Sequence, residues 1–242
     1  TVQKYGMAVV TAKNTDPVTS YVKGGSKYGP GPLTYQFRCP VAANSDEGSD
    51  GHLAVIQPAT GTVVEMYNAR RLPDGTYSCT GSGITSINDY TYARSACLGS
   101  SFTISAGAIL PSEVAAGRIP HALAAMFPSS CVRPGHVWPS TDDDGELASG
   151  MTQEGMRFVL DPSASLTGMT GLTLVVAKAL QEYGMIVTDK TTGSDIDLRG
   201  LSSASFTTIN QPNQWAAIGI TTDYPSVAAL LPLIPRMKVV QT

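Results

Sequence analysis

Short apolar runs, each bounded by Gly, Pro, Asn or Asp, recur along most of the chain. Runs of this length that are rich in β-branched residues are typical of β-strands. The pattern predicts strands at residues 8–12, 33–38, 52–57, 62–68, 102–105, 122–127, 136–138, 156–160, 185–188, 204–209 and 216–221.

The clearest local pattern predicts a hairpin. Two apolar runs, 52–57 and 62–68, flank the four-residue loop 58–61, which ends in glycine. If Gln57 pairs with Thr62, alternation along the strands divides the side chains between two faces. The core face then carries Leu53, Val55, Val64 and Met66. The opposite face carries His52, Ala54, Ile56, Val63, Glu65 and Tyr67.

Helical spacing is clear in one segment. Apolar side chains recur at intervals of three and four residues over 172–183, which predicts a helix with one apolar stripe, and Gly184 follows as a stop. A shorter helix is expected over 112–117 and another helical turn over 226–231.

These elements together predict a mainly β fold. Many short strands with one clear helix are typical of a β-sandwich or a jelly roll. The length of 242 residues suits one large β domain, and no stretch resembles an interdomain linker. Residues 1–242 are therefore expected to form a single domain.

Charge and composition limit the kinds of partner that the protein is expected to bind. The formal net charge is −3 and the basic residues form no cluster beyond Arg70-Arg71, so nucleic acid is not expected as a partner. No apolar run approaches the length of a membrane span. Charged residues make up only 14% of the chain, which favours a secreted, extracellular protein. A secreted protein that begins at Thr1 would have lost a signal peptide.

Four cysteines lie at wide spacing, without the CxxC or CxxH pair that would indicate zinc. Two disulfides are therefore expected, and three pairings are open. The polar, loop-like residues 80–96 favour Cys79–Cys97, and Cys39–Cys131 then follows by elimination. Four buried thiols are the alternative.

Three segments together resemble a known family. They are residues 49–56 (SDGHLAVI), 113–123 (EVAAGRIPHAL) and 179–189 (ALQEYGMIVTD). Over roughly residues 48–190, the chain resembles a family of secreted, mostly uncharacterised β-rich proteins of soil bacteria such as actinomycetes and myxobacteria. The family often continues with Asp-Asn-Gly, whereas Asp189 is followed here by Lys190. The resemblance implies secretion and a single fold.

Four residues are candidates for catalysis. His52 and His121 belong to the segments above, and a histidine can act as a base or a proton donor near neutral pH. Glu65 could be one of the two carboxylates that glycoside hydrolysis requires, with Asp189 as a partner. Structural roles are the alternatives: a histidine bonded to a loop carbonyl, a solvated glutamate on a strand, and an aspartate that begins a turn.

Three further residues are candidates for substrate binding. Tyr67 and Arg157 complete the set that a polysaccharide lyase would use beside a uronate, and Trp138 is able to stack on a sugar ring. The acidic loop 141–146 suits the oxygen preference of calcium through Asp142 and Asp144, although it lacks the full spacing of a calcium-binding loop.

No G-x-S-x-G elbow and no phosphate-binding glycine loop occur, which argues against serine hydrolysis and nucleotide chemistry. The sequence therefore predicts a secreted carbohydrate-active protein that degrades a polysaccharide as a hydrolase or a lyase. The alternative is a non-catalytic extracellular protein that binds glycans or self-assembles. No cofactor is expected beyond structural calcium.

Overall fold

A computed structural model describes residues 2–28, 32–87 and 97–240, and its first seven strands form one mixed sheet. The strands are β1 (Ala8–Thr11), β2 (Val18–Tyr28), β3 (Leu33–Arg38), β4 (Leu53–Gln57), β5 (Thr62–Tyr67), β6 (Arg70–Arg71) and β7 (Tyr77–Ser86). Their order in the sheet is β1-β4-β5-β7-β2-β3, and the short β6 also pairs with β7. The predicted hairpin forms β4 and β5 of this sheet.

The later part of the chain forms a five-stranded sheet and a two-stranded ribbon. The strands are β8 (Leu123–Pro128), β9 (Val132–His136), β10 (Thr152–Glu154), β11 (Arg157–Leu160), β12 (Met185–Thr191), β13 (Asp197–Leu198) and β14 (Met237–Val240). The sheet has the order β13-β8-β12-β11-β14, and the ribbon pairs β9 with β10. Because β10 also contacts β12, the ribbon lies beside the second sheet.

The helical segments are α1 (Pro111–Ala116), α2 (Gly171–Glu182), α3 (Ala204–Thr207), α4 (Gln214–Ala217) and a 3-10 helix (Ala228–Arg236). The short α3 contacts β1 of the first sheet, whereas α2 packs on β11 of the second. The predicted long helix is confirmed as α2, whose apolar stripe, including Val176 and Leu180, is buried in the core of the second sheet. Gly184 has a φ of 76°, a value that favours glycine, and it turns the chain from α2 into β12.

The hairpin β4–β5 has the predicted register. Gln57 pairs with Thr62, and the four side chains of the predicted core face are fully buried. The opposite face is covered as well, because Ala54 packs in one cluster with Phe102 and Ile104. Strands that are buried on both faces carry the nearly continuous apolar runs seen in this hairpin.

The chain is mainly β, as predicted, since strands hold 35% of the residues and helices 16%. Its sheets give an arrangement of the β-sandwich type, and the more specific jelly-roll topology stays a prediction. The two large sheets meet at one apolar cluster, in which Met7 beside β1 and Ile186 of β12 pack around residues 97–104. None of the described helices has the length and apolar character needed to cross a lipid bilayer.

Three predicted strands are wrong, and a fourth, 136–138, overlaps β9 at His136 alone. Residues 204–209 and 216–221 lie in or beside the short helices α3 and α4, and residues 102–105 form a loop. In α4 the side-chain oxygen of Asn213 accepts hydrogen bonds from the N–H groups that follow it, which caps a helix where the apolar run suggested a strand. The apolar pattern does not predict β2 or β7, because Gly, Ser, Thr and Lys interrupt it.

The expectation of two disulfides is also wrong. No disulfide joins any two of the four cysteines, all of which lie in the described part of the chain. Cys39 and Cys79 belong to the core of the first sheet, Cys97 belongs to the cluster between the sheets, and Cys131 lies between β8 and β9. Each expected pair is therefore divided between different parts of the fold. Residues 88–96 of the expected Cys79–Cys97 loop lie outside the described residues.

Candidate functional site

Three carboxylates converge where the two-stranded ribbon meets the second sheet. Asp144, Glu154 and Asp189 each place one carboxylate oxygen within 4.8 Å of the other two. Asp144 is exposed, Asp189 is half-buried and Glu154 is fully buried. No other trio of His, Cys, Asp or Glu side chains in the described ranges has this spacing. We refer to these three residues as the acidic site.

Backbone features of three elements bring the acidic site together. Glu154 ends β10, and Asp189 follows a bulge in β12, where the register with β8 shifts between Val187 and Asp189. A bulge changes the direction of the side chains that follow it. Asp144 belongs to the acidic loop and lies against Gly99, where an added Cβ would stand 2.5 Å from the Asp144 Cγ. The absence of a side chain at Gly99 therefore leaves room for the carboxylate.

Glu154 carries a buried carboxylate that forms no hydrogen bond of normal geometry, and its nearest polar neighbours include the backbone N–H and the carboxyl group of Asp144. Its side chain has no exposed surface, and neither Oε1 nor Oε2 has a hydrogen-bond partner. Burial raises the pKa of Glu154 to about 9, and the charges of Asp189 and Asp144 add to the increase. In the protein alone, Glu154 is therefore neutral at neutral pH.

Two basic side chains contact the other two acids. Arg199 is only 1% exposed and donates from Nη2 to the Oδ2 of Asp189 over 2.7 Å. The Nζ of Lys190 lies 3.6 Å from the Oδ2 of Asp144. Burial raises the pKa of Asp189, and the Arg199 guanidinium opposes this increase. Arg199 and Lys190 therefore contact Asp189 and Asp144, whereas neither carboxylate oxygen of Glu154 has a hydrogen-bond partner.

Other buried polar atoms near the acidic site also lack hydrogen-bond partners. They include Nε and Nη1 of Arg199 and the hydroxyl groups of Ser140 and Thr141. The backbone N–H of Thr141 donates to the carbonyl of Ser100, whose hydroxyl donates to the carbonyl of Thr188 in β12. Because buried polar groups are normally paired, this concentration of unsatisfied groups is typical of a site that binds a polar partner.

His52 lies on the predicted face of the hairpin, beside Tyr67 at a ring-centroid distance of 5.6 Å. Its Nε2 is 3.2 Å from the carbonyl oxygen of Cys97, and its backbone N–H donates to Asp46. A carbonyl only accepts, so the ring proton is on Nε2. Burial, with a further contribution from the charge of Arg199, lowers the pKa of His52 to about 4. His52 is thus a buried, neutral histidine.

Glu65 is fully buried on the same face of the hairpin. Its Oε1 accepts a hydrogen bond from the backbone N–H of Ile104 over 2.6 Å. This bond ties β5 to the loop between the two sheets. His52 and Glu65 therefore lie in the interior of the protein and not on an open cleft.

His121 and Trp138 border an open groove of about 350 Å³, whose apolar lining includes Phe102 and Ile186. We refer to it as the Trp138 groove. The Trp138 side chain is 52% exposed, so much of its ring is accessible to a ligand. The Nε2 of His121 lies 3.1 Å from the carboxylate of Glu113 in α1. The groove thus combines an accessible aromatic ring with one polar pair.

The remaining predicted site residues lie apart from both features. Arg157 donates from its guanidinium to the carbonyl oxygen of Tyr183, at the end of α2. Asp142 shares the acidic loop with Asp144, but its Oδ1 accepts from the backbone N–H of Asp143 and it is not one of the three converging acids. Of the two predicted calcium ligands, Asp144 alone belongs to the acidic site.

Two residues of this region are not indicated by the sequence. Glu154 lies in a strand of three residues, and Arg199 follows a strand of two residues, so neither belongs to a periodic pattern. A single charge inside a long apolar run is the usual signal of a buried ionisable group, and neither position has such a run. Only the tertiary fold places them beside Asp189.

Comparison of the chain with protein-family models, with curated protein sequences and with solved structures finds no significant match in any of the three.

Proposed function

We propose that the protein binds carbohydrate in the Trp138 groove. The observation that carries this proposal is the half-exposed indole of Trp138 at the border of an open groove of about 350 Å³. The apolar face of a sugar ring stacks on an indole, and small-molecule sites begin at about this volume. One or two sugar rings are the expected occupants.

His121 and Glu113 supply the polar side of the proposed site. Sugars carry hydroxyl groups around the ring edge, and these groups require donors and acceptors close to the stacking surface. The His121 side chain is 33% exposed beside the groove, and its 3.1 Å contact with Glu113 orients the ring. This arrangement supports recognition of a hydroxylated ligand in preference to a purely apolar one.

The non-catalytic form of the proposal has the better support. Glycoside hydrolysis needs two carboxylates on either side of the scissile bond. The predicted candidates His52 and Glu65 are buried and hydrogen-bonded in the interior. A predicted uronate-binding residue, Arg157, is engaged by the carbonyl of Tyr183. We therefore propose a secreted, glycan-binding protein as the first candidate. The proposed secretion rests on the resemblance to secreted proteins of soil bacteria.

A polysaccharide-degrading activity, preferably that of a lyase, is the second candidate, and the His121–Glu113 contact favours it. A histidine held by a carboxylate can accept a proton from a bound substrate. In that mechanism the Nδ1 of His121 keeps its hydrogen bond to the carbonyl of Ala122, 2.9 Å away, and Nε2 leaves the Glu113 carboxylate to take the proton beside the uronate carboxyl group. Self-association, which the sequence analysis gives as an alternative for a non-catalytic protein, does not depend on the Trp138 groove.

The proposal is tested by affinity electrophoresis and calorimetry with laminarin, xylan, alginate and polygalacturonate. We expect Trp138→Ala to weaken binding by about tenfold or more, as loss of an aromatic anchor does. Tyr224→Ala is the matched control, because Tyr224 is 59% exposed and stacks on Tyr5 outside the groove. Equal affinity in the two variants would overturn the proposal. Release of unsaturated uronate products that is lost in His121→Ala would favour the lyase.

A further inference from the structure

We propose that Asp144, Glu154 and Asp189 hold a divalent cation, with calcium preferred. This site differs from the acidic-loop site that the sequence predicts, because two of its three ligands lie outside that loop. It does not rest on carbohydrate binding, since none of the three residues lines the Trp138 groove.

The spacing of the oxygen atoms fits an ion of this class. Carboxylate oxygens are the ligands that calcium prefers, at distances of roughly 2.3–2.6 Å. Two ligand oxygens on opposite sides of one calcium ion are thus about 4.6–5.2 Å apart. The three carboxylates of the acidic site place one oxygen each within 4.8 Å of the others, so one ion can contact all three. Three carboxylates can supply up to six oxygens, the lower limit for calcium.

Glu154 is the independent indication of a ligand. Acidic clusters on a protein surface are solvated, but Glu154 has no exposed surface and no hydrogen-bond partner on either oxygen. A buried carboxylate is normally paired with a donor or coordinates a metal. Its carboxylate faces two further carboxylates, which attract a cation and cannot donate a hydrogen bond when ionised.

The surrounding charges leave a place for the ion. Arg199 is engaged with Asp189, and Lys190 with Asp144 and with Glu146, where its Nζ is 2.8 Å from Oε1. Neither cation compensates Glu154. The Asp144 side chain is 43% exposed, so an ion can enter from the solvent side.

Calcium titration of the whole chain tests this proposal. The protein is treated with EDTA, exchanged into metal-free buffer at neutral pH and titrated with CaCl₂ in a calorimeter, with MgCl₂ and MnCl₂ in parallel runs. We expect one calcium per chain and an increase in the temperature of unfolding at saturating calcium. The absence of binding by all three ions up to about 10 mM, above the range of weak extracellular sites, would overturn the proposal.

Two substitutions locate the ion. Glu154→Gln keeps the shape of the side chain and removes its ability to ionise, so the fold is retained while calcium affinity falls by about 100-fold. Asp142→Asn is the matched control, because Asp142 is an acid of the same loop that lies outside the acidic site. Its affinity should stay within about twofold of the parent protein. Unchanged affinity in Glu154→Gln, or an equal loss in Asp142→Asn, would mean that the ion does not bind at the three carboxylates.

Discussion

Arg199 lies buried against Asp189, and its Nη2 donates to Oδ2 over 2.7 Å while its Nε and Nη1 have no hydrogen-bond acceptor. The guanidinium is 1% exposed, so its charge depends on this one carboxylate. A buried cation with incomplete hydrogen bonding is costly, and a substitution that removes one member of such a pair leaves the other charge uncompensated. The stability of this region is therefore sensitive to either partner.

Arg199→Met should lower the free energy of unfolding by about 3–5 kcal/mol in EDTA, because it leaves Asp189 half-buried without its counter-ion. Arg236→Met is the control, since Arg236 is 47% exposed and lies 3.3 Å from Asp161. An exposed pair of that kind contributes less than about 1 kcal/mol. Urea denaturation of both variants measures the difference. Similar losses would show that the Arg199–Asp189 pair has no special role.

Glu65→Ala should destabilise the protein by about 2–3 kcal/mol, because it leaves the backbone N–H of Ile104 buried without its 2.6 Å acceptor. Glu47→Ala provides the comparison at an exposed acid, whose side chain is 67% accessible, and should change stability by no more than about 0.5 kcal/mol. Chemical denaturation gives both values. If Glu65 is structural, the folded Glu65→Ala protein also retains its glycan affinity, and a selective loss of affinity would restore the predicted functional role.

The hairpin β4–β5 shows which features of the fold can be predicted from the local sequence pattern. Its register follows from the period of two along the strands and from the loop that ends at Gly61, and the contact between His52 and Tyr67 follows from that register. The same pattern does not indicate which residues cover the opposite face of the hairpin. That face is closed by residues 97–104, an irregular segment that is distant in sequence from the hairpin.

The acidic site could be predicted only in part for a related reason. Asp144 and Asp189 carry local signals, an acidic loop and a strand end, but Glu154 joins them through the pairing of a three-residue strand and through the bulge before Asp189. Short polar strands and bulges are set by tertiary contacts and leave little trace in a single sequence. The cysteines show the opposite failure, since an even count at wide spacing suggests disulfide bridges that the fold does not form.

His52 should make stability depend on pH. Its pKa is lowered to about 4 in the folded protein, whereas an unfolded histidine titrates near 6.5. Between these values the unfolded chain binds a proton that the folded protein does not, so stability falls as the pH decreases. The loss between pH 6.5 and 5 should be about 2 kcal/mol.

Urea denaturation of the parent protein and of His52→Gln at several pH values in EDTA measures this contribution. Burial raises the pKa of Asp46 to about 6, which has the opposite sign. Because the Oδ2 of Asp46 lies 3.8 Å from the Nδ1 of His52, the difference between the two proteins measures His52 together with its contact to Asp46. We expect a smaller loss of stability at acidic pH in His52→Gln. The same dependence on pH in both proteins would show that His52 is not held neutral.

Gly99→Ala should weaken calcium binding without unfolding the protein. The added Cβ would lie 2.5 Å from the Cγ and 2.6 Å from the Oδ1 of Asp144, so the carboxylate must move away while the backbone of either loop can stay. Displacement of one ligand should reduce affinity by about tenfold or more. Gly193→Ala is the matched control, because its nearest neighbour would be the Thr191 Oγ1 at 3.5 Å. Calcium titration of both variants, with circular dichroism as the check on folding, decides the outcome, and equal affinities would mean that Asp144 does not bind the ion.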